Sequence, residues 1–166
     1  QAFAPGSATF DVERGALTDI SPVPWQTCTS IAKNSWGYTE NNKFKSAYHV
    51  ICDLIDIVSK NGVMLLNVGP KPDGTITDEE TAVLNEIGDW LKTNGEGIYD
   101  TVPWKTFGEG KVNTKDGSFK DNKTKKYTEK DFRFTYKDGA VYVFQMKPTH
   151  DGVIRIKNFK KRTKYV

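Results

Sequence analysis

The sequence feature that most restricts the fold is residues 63–76, where a run of apolar residues gives way abruptly to Asn, Gly, Pro and Asp. Apolar runs bounded by turn residues are typical of strands covered on both faces in parallel sheets. Helical patterns flank the run on both sides, so we predict that it is the last strand of an α/β domain. In such domains the loop that follows the carboxyl end of a strand carries the chemistry, which makes residues 67–76 a candidate site loop.

The neighbouring segments complete a strand–helix–strand–helix unit. Residues 25–31 contain several β-branched residues and predict a strand. Residues 46–60 repeat apolar side chains at three- and four-residue spacing, which predicts a helix that Asn61-Gly62 ends. Thr77 and Glu80 match a capping box that would begin a second helix. Short links between these elements are typical of a βαβα arrangement.

A change of composition near residues 104–110 marks a second, separate module. Residues 105–130 are rich in Lys, Asp, Gly and Thr, and residues 132–144 alternate around an Asp-Gly turn. Because Asp-Gly between alternating runs is a strong hairpin signal, we predict an antiparallel β module. Residues 153–156 repeat the alternation and predict a further strand.

Charge and composition restrict the possible function classes. The net charge is +3, too small to favour nucleic-acid binding on its own, and the lysine-rich segments are typical of a solvated surface. No apolar run reaches the ~20 residues of a membrane helix, and no signal peptide is visible. Cys28 and Cys52 lack the spacing of a metal site, and we predict buried thiols, although a disulfide between them stays open.

Glu13 and Arg14 are the first candidate catalytic residues. Glu13 lies in a loop before the strand predicted at residues 25–31. Burial in an aromatic-lined cleft would favour the neutral form of its carboxyl and allow it to act as a general acid. A direct ion pair with Arg14 would oppose that shift. The more ordinary interpretation is a solvated Glu–Arg pair on the surface.

Aromatic residues in a nearby loop indicate a ligand wall. Trp36 and Tyr38 should lie at the same end of the sheet as residues 67–76, where they could contact a carbohydrate or an apolar ligand. Packing within the loop is the alternative. Asp73 in a Pro-Asp-Gly sequence is typical of a turn, and Asn122 matches an N-glycosylation acceptor. The residues alone do not define a substrate.

Five blocks, taken together and in order, resemble the α-L-fucosidases of glycoside hydrolase family 29. The blocks are residues 10–15, 24–31, 34–38, 56–62 with 65–70, and 90–99. The similarity runs without a break from Gln1 to about Trp104. Beyond that point only the β character is similar to the C-terminal β-sandwich of the family.

The resemblance implies an α/β fold, with residues 1–104 as the C-terminal part of a (β/α)8-like barrel and residues 105–166 as an incomplete antiparallel β-sandwich. It also implies a retaining exo-glycosidase that hydrolyses terminal α-L-fucose from glycoconjugates with two carboxylates and without metal or organic cofactor. The aspartate nucleophile of the family has no match here. We therefore expect a fragment that is inactive alone and needs the remainder of its parent chain to complete the barrel.

On this resemblance Glu13 is the candidate general acid/base. Trp36 would lie against the apolar face of fucose, and Arg14, Tyr38 and Asn67 would complete the substrate-binding site. A fucosylated glycan is the expected partner, whereas nucleic acid and membrane are not. A carbohydrate-binding or scaffolding segment without hydrolytic activity is the alternative. The sequon and the family favour a secreted, lysosomal or periplasmic location.

Overall fold

The computed structural model describes residues 6–121 and 126–159, which form two three-stranded sheets and two α-helices. The elements in chain order are β1 (Phe10–Asp11), β2 (Trp25–Ser30), α1 (Ala47–Ser59), β3 (Gly62–Asn67), α2 (Asp78–Asn94), a 3-10 turn (Gly95–Gly97), β4 (Val102–Glu109), β5 (Phe132–Lys137) and β6 (Ala140–Gln145). Strands β1, β2 and β3 are parallel and adjacent in that order, and β4, β5 and β6 are antiparallel. The strand, helix and hairpin predictions between residues 25 and 145 are confirmed.

One face of the parallel sheet packs tightly against α1. The Trp25 indole is fully buried and donates a hydrogen bond from Nε1 to the carbonyl of Lys60 at 2.9 Å. Gly62 is required beside it, because a Cβ at this position would lie 2.6 Å from the Trp25 ring. The left-handed residue that ends α1 is Asn61, with φ of 71°. The two residues therefore have different roles, since Asn61 turns the chain and Gly62 permits the close approach of the Trp25 ring.

The opposite face of the parallel sheet is open. Val63 and Leu65 are each 56% exposed on it. The prediction of a strand covered on both faces is therefore wrong for the described residues. The apolar composition of β3 would suit a second packing layer, but the part of the chain that the structure describes places its helices on one side of the sheet.

A buried carboxylate joins the antiparallel sheet to α1. Asp56 accepts hydrogen bonds from Lys60 Nζ at 2.7 Å and from Arg133 Nε at 2.5 Å, and all three side chains are at most 1% exposed. Thr114 Oγ1 adds a third bond to the carboxylate at 3.0 Å. Burial acts to raise the pKa of Asp56, but the charges of Lys60 and Arg133 outweigh it and hold the pKa below its ordinary value.

The segment between β4 and β5, residues 110–131 (the β4–β5 connection), returns to the parallel sheet. The Gly117 amide donates to the Ala16 carbonyl at 3.2 Å, and Asn113 Nδ2 donates to the Thr18 carbonyl at 2.9 Å. Strand β4 begins at Val102, and its connection lies against the loop that leaves β1. The β4–β5 connection and the loop after β1 are therefore joined by hydrogen bonds.

The predicted strand at residues 153–156 is wrong. These residues form no strand, and the amides of Lys157 and Asn158 are held instead by the Glu109 carboxylate at 3.0 Å. Phe159 then stacks on Trp104 with ring centroids 5.0 Å apart. A side-chain acceptor and an aromatic contact hold the segment in place of a strand ladder.

Other sequence features have simpler outcomes. Cys28 and Cys52 are free thiols; Cys52 is buried as predicted, whereas Cys28 is only half-buried, so the prediction of burial is wrong for Cys28. No helix in residues 6–121 or 126–159 has the length and apolar character that crossing a membrane requires. The Asn122 sequon and the basic residues after Phe159 lie outside the described residues.

We predict that Asp56→Asn destabilises the protein by about 3–5 kcal/mol, because it leaves two buried cations without their shared carboxylate. The contribution of Asp56 should be fully present above the ordinary carboxyl pKa of 3.8 and should be lost as the pH falls toward the lower folded pKa. Denaturant unfolding at neutral and acidic pH measures both effects.

The matched control is Asp89→Asn, which removes an ion pair of similar length, 2.8 Å to Lys92, between side chains that are 73% and 79% exposed. Solvent screens such a pair, so the unfolding midpoint should not move. Equal midpoints for the two variants would contradict the role assigned to Asp56.

Candidate active site

Three loops meet at the carboxyl edge of the parallel sheet, because the strands of a parallel sheet all end at the same edge. Beyond β1 the chain continues beside β2, with the Val12 amide bonded to the Gln26 carbonyl and the Arg14 amide to the Cys28 carbonyl, both at 2.8 Å. The loop after β1 therefore places Glu13 beside β2. The loop after β2 carries the predicted aromatic residues, and the predicted Asn67 is the last residue of β3.

Glu13 is half-buried, on a continuation of β1 whose side chains alternate between faces. Asp11, two residues earlier, accepts hydrogen bonds from Gln26 Nε2 at 3.0 Å and from Cys28 Sγ at 3.1 Å. Burial, the hydrogen bond to Asp11, and the charges of Asp11 and Glu13 raise the pKa of Cys28 to about 11. Cys28 is therefore a neutral thiol beside two carboxylates.

Arg14 points away from Glu13 and holds the next loop. Its Nη2 donates to the carbonyls of Ala32 at 3.1 Å and Lys33 at 2.7 Å, and it forms an ion pair with Asp121 at 3.1 Å. Its ion pair among the described residues is thus with Asp121 and not with Glu13. Arg14 also adopts a left-handed conformation, φ 47°, which is uncommon for a residue with a side chain. That Arg14 binds substrate stays a prediction.

The Trp36 loop lies directly on the turn after β3. Asn67 Nδ2 donates to the Trp36 carbonyl and, at 3.0 Å, to the Val68 carbonyl. A Cβ added at Gly69 would lie 2.8 Å from the backbone of Gly37 and of Tyr38. The structure therefore brings Trp36, Tyr38 and Asn67 together, and it leaves the two aromatic side chains about 40% exposed.

Glu80 holds the turn after β3 by a hydrogen bond, a role that the sequence pattern did not indicate. Its carboxylate accepts the Gly69 amide at 2.9 Å and the Thr77 hydroxyl at 3.3 Å. Thr77 does accept the Glu80 amide, as a helix cap should. The glutamate of the predicted capping box is thus used to fix the loop. Asp73 accepts both the amide and the hydroxyl of Thr75, which confirms it as a turn residue.

A second group of residues that sequence reasoning missed surrounds Asp121. Lys45 Nζ donates to the Asp121 carboxylate at 2.6 Å, and His49 Nε2 lies 2.9 Å from the Asp121 carbonyl. A hydrogen bond that the His49 ring donates to the Asp53 carboxylate raises the pKa of His49 above its ordinary value, although burial opposes it. A local sequence pattern could not have predicted these contacts, because they join distant parts of the chain. Thr29 and Asp121, for example, are hydrogen-bonded and lie 92 residues apart.

A cavity of about 420 Å³ does not include the predicted site residues. It is lined by residues of β2, α1 and the β4–β5 connection, among them Thr29, Asp53 and Asp121. Glu13, Trp36 and Tyr38 do not line it. Within residues 6–121 and 126–159 no group of three or more His, Cys, Asp or Glu side chains could hold a metal ion. The Trp36 and Tyr38 side chains lie outside this cavity and are partly exposed to solvent.

Comparison with known proteins identifies the family. A family model described as "Alpha-L-fucosidase" matches residues 5–96, which is more than half of the chain. The chain belongs to the α-L-fucosidase family. Tissue α-L-fucosidase of Rattus norvegicus is 33% identical over 139 residues, which are 82% of this chain and 26% of that protein. The chain thus spans about a quarter of the length of this relative.

Solved structures give the same result. The Thermotoga maritima α-fucosidase in complex with fucose is 34% identical with a TM-score of 0.60, over 75% of this chain and 26% of that chain. A trapped covalent intermediate of a Bacteroides thetaiotaomicron family 29 α-L-fucosidase is 28% identical with a TM-score of 0.51, over 57% of this chain and 24% of that chain. Both match only a part of a longer enzyme.

We predict that Gly69→Ala destabilises the protein by about 1–3 kcal/mol, because the new methyl group would overlap the backbone of the Trp36 loop. Gly37→Ala is the control from the other side of the same contact, since a Cβ there meets no atom within 4 Å. Urea unfolding of both variants measures the difference. Equal stability of the two would show that the loop does not rest on the turn.

Proposed function

We propose that these residues form the acid/base side of an α-L-fucosidase active site that removes terminal α-L-fucose from glycoconjugates. The observation that carries the proposal is the position of Glu13. It lies on the loop after β1, at the carboxyl edge of the sheet, from which the loop with the exposed Trp36 and Tyr38 also extends. Membership of the family supports it, as does the fucose complex of the Thermotoga maritima relative.

The proposal includes a larger fold. In it the parallel sheet is the C-terminal part of a (β/α)8-like barrel, and the open face with Val63 and Leu65 is the barrel interior. The antiparallel sheet belongs to a β-sandwich. Further barrel strands would bury the apolar side chains that are now 56% exposed, and would pair the free edges of the sheet.

In the proposed mechanism the Glu13 carboxyl protonates the glycosidic oxygen while the bond from that oxygen to the anomeric carbon breaks. A second carboxylate, on a residue outside this chain, forms a bond to the anomeric carbon in the same step. Glu13 then removes a proton from the water that displaces this carboxylate and releases fucose. A covalent intermediate trapped in the Bacteroides thetaiotaomicron relative, with a glutamate-to-glutamine mutant, supports a two-step course.

The other site residues have supporting roles in this proposal. The Trp36 ring packs against the apolar face of the sugar, with Tyr38 beside it. Arg14 and Asn67 fix the loop that carries these rings through their bonds to the Ala32 and Trp36 carbonyls, and no metal or organic cofactor takes part. A secreted, lysosomal or periplasmic location belongs to the same proposal.

A carbohydrate-binding or scaffolding role without hydrolysis is the second candidate, favoured by the two exposed aromatic side chains alone. Fucose binding by the full-length gene product without any turnover would favour this role over the first.

We predict that Glu13→Ala in the full-length gene product lowers kcat/KM by about 10²–10⁴-fold for fucosides whose leaving groups have high pKa, because those leaving groups need protonation. Activated aryl α-L-fucosides should slow less, and added azide should restore part of the rate. The measurement is a series of aryl α-L-fucosides of increasing leaving-group pKa.

Glu86→Ala, which changes an exposed glutamate of α2, is the control and should match the unmodified enzyme. Equal slowing of all leaving groups without azide rescue would remove Glu13 from the acid/base role. A full-length product that hydrolyses no α-L-fucoside would refute the proposed function itself.

A further inference from the structure

Asp121 has a buried carboxylate that links the β4–β5 connection to the loop after β1, to β2 and to the beginning of α1. We propose that Asp121 is a positioning residue, which holds Arg14 against the Trp36 loop and so fixes the aromatic wall relative to Glu13. This inference rests on the proposed function. It means that the polypeptide after β4 contributes directly to the geometry of the sugar site.

The side chain of Asp121 has three partners on three different segments. Its Oδ2 pairs with Arg14 Nη2 at 3.1 Å and accepts hydrogen bonds from Lys45 Nζ at 2.6 Å and from Thr29 Oγ1 at 3.0 Å. The carboxylate is 8% exposed, and the Lys45 side chain is fully buried. Charge-assisted bonds of this kind are short and strong and have little freedom to rearrange.

The backbone around Asp121 holds the Glu13 loop as well. The amides of Lys120 and Asp121 donate to the Arg14 carbonyl at 2.8 and 3.0 Å, and the Phe119 amide donates to the Glu13 carbonyl at 2.9 Å. On its other side the same loop is bonded to β2 through the Arg14 amide. Glu13 and Arg14 therefore lie between a strand and the β4–β5 connection, with backbone bonds to both.

Arg14 connects the Asp121 carboxylate to the loop that carries Trp36 and Tyr38. Its guanidinium carbon lies 5.2 Å from the centre of the Trp36 ring, a cation–π distance, while its Nη2 donates to two carbonyls at the start of the same loop. Without the Asp121 carboxylate, Arg14 and Lys45 would be buried cations that have lost the anion they share. The guanidinium would then move toward other acceptors, and the Trp36 ring would lose its support.

Asp121 does not act on the substrate in this account. Its contacts are with Arg14, Thr29, Lys45 and His49, on the side of the sheet that faces α1. The open face, where Glu13 is proposed to work, lies on the other side. A change at Asp121 should therefore alter how the sugar is held before it alters how the leaving group is protonated.

The test measures kcat and KM of the full-length gene product for an aryl α-L-fucoside. Asp121→Asn should lower kcat/KM by about tenfold to a hundredfold, mainly through KM, because small displacements of positioning groups have effects of this size. Asp116→Asn is the matched control, since Asp116 lies in the same connection but bonds to Thr18. It should leave both constants unchanged.

The decisive comparison repeats Asp121→Asn in a Trp36→Ala background. If Asp121 acts through Trp36, its substitution should change KM less than twofold once the ring is absent. Thr29→Val, which removes the hydrogen bonds of the Thr29 hydroxyl with Asp121 and with Lys45 but leaves the charges paired, is the second variant if Asp121→Asn does not fold. It should raise KM by about two- to fivefold and lose this effect in the same background.

The possible outcomes distinguish the positioning role of Asp121 from the proposed function. An active enzyme in which Asp121→Asn behaves like Asp116→Asn overturns the positioning role and leaves the proposed function intact. An effect of Asp121→Asn that is equally large with and without Trp36 also overturns it, since the residue would then support the fold in general. An inactive unmodified protein refutes the proposed function and this inference with it.

Discussion

The buried carboxylate of Asp56 is the contact on which the arrangement of the two sheets depends. A carboxylate that leaves water needs cations and hydrogen bonds around it, and α1 supplies only Lys60. Arg133 of β5 completes the site, at 2.5 Å from the carboxylate and 77 residues further along the chain. The helix that covers the parallel sheet can therefore bury its polar position only when the antiparallel sheet is in place, which fixes where the β4–β5 connection must run.

The same principle recurs closer to the candidate active site. Asp121 neutralises Arg14 and Lys45 much as Asp56 neutralises Lys60 and Arg133. Both carboxylates link the β4–β5 connection or β5 to the parallel part of the fold. The loops that carry Glu13 and Trp36 consequently contact the buried, ion-paired group around Asp121, although the Trp36 side chain itself is partly exposed. In the proposed enzyme, such support would hold the reacting groups in place before the substrate arrives.

Local patterns predicted the elements but not their partners. The apolar spacing of α1, the turn at Asn61 and the hairpin of β5 and β6 depend on neighbours in sequence, and the structure has them. The exposure of Val63 and the pairing of Arg133 depend on distant parts of the chain, which leave no periodic signal. The strand expected at residues 153–156 failed for the same reason, because distant residues, the Glu109 carboxylate and the Trp104 ring, hold the residues that follow it. Glu13 and Trp36 were singled out by their residue types and neighbours, while their roles came from the family resemblance.

The most direct test of the central claim is to find which carboxylate bonds to the sugar. The full-length gene product is incubated with 2-fluoro-fucosyl fluoride, the reagent named for the Bacteroides thetaiotaomicron intermediate, and the labelled peptide is identified by mass spectrometry. If this chain supplies the acid/base and another segment supplies the nucleophile, the label will lie on a carboxylate outside residues 1–166. A label on Glu13, or on any other carboxylate within these residues, would contradict that division.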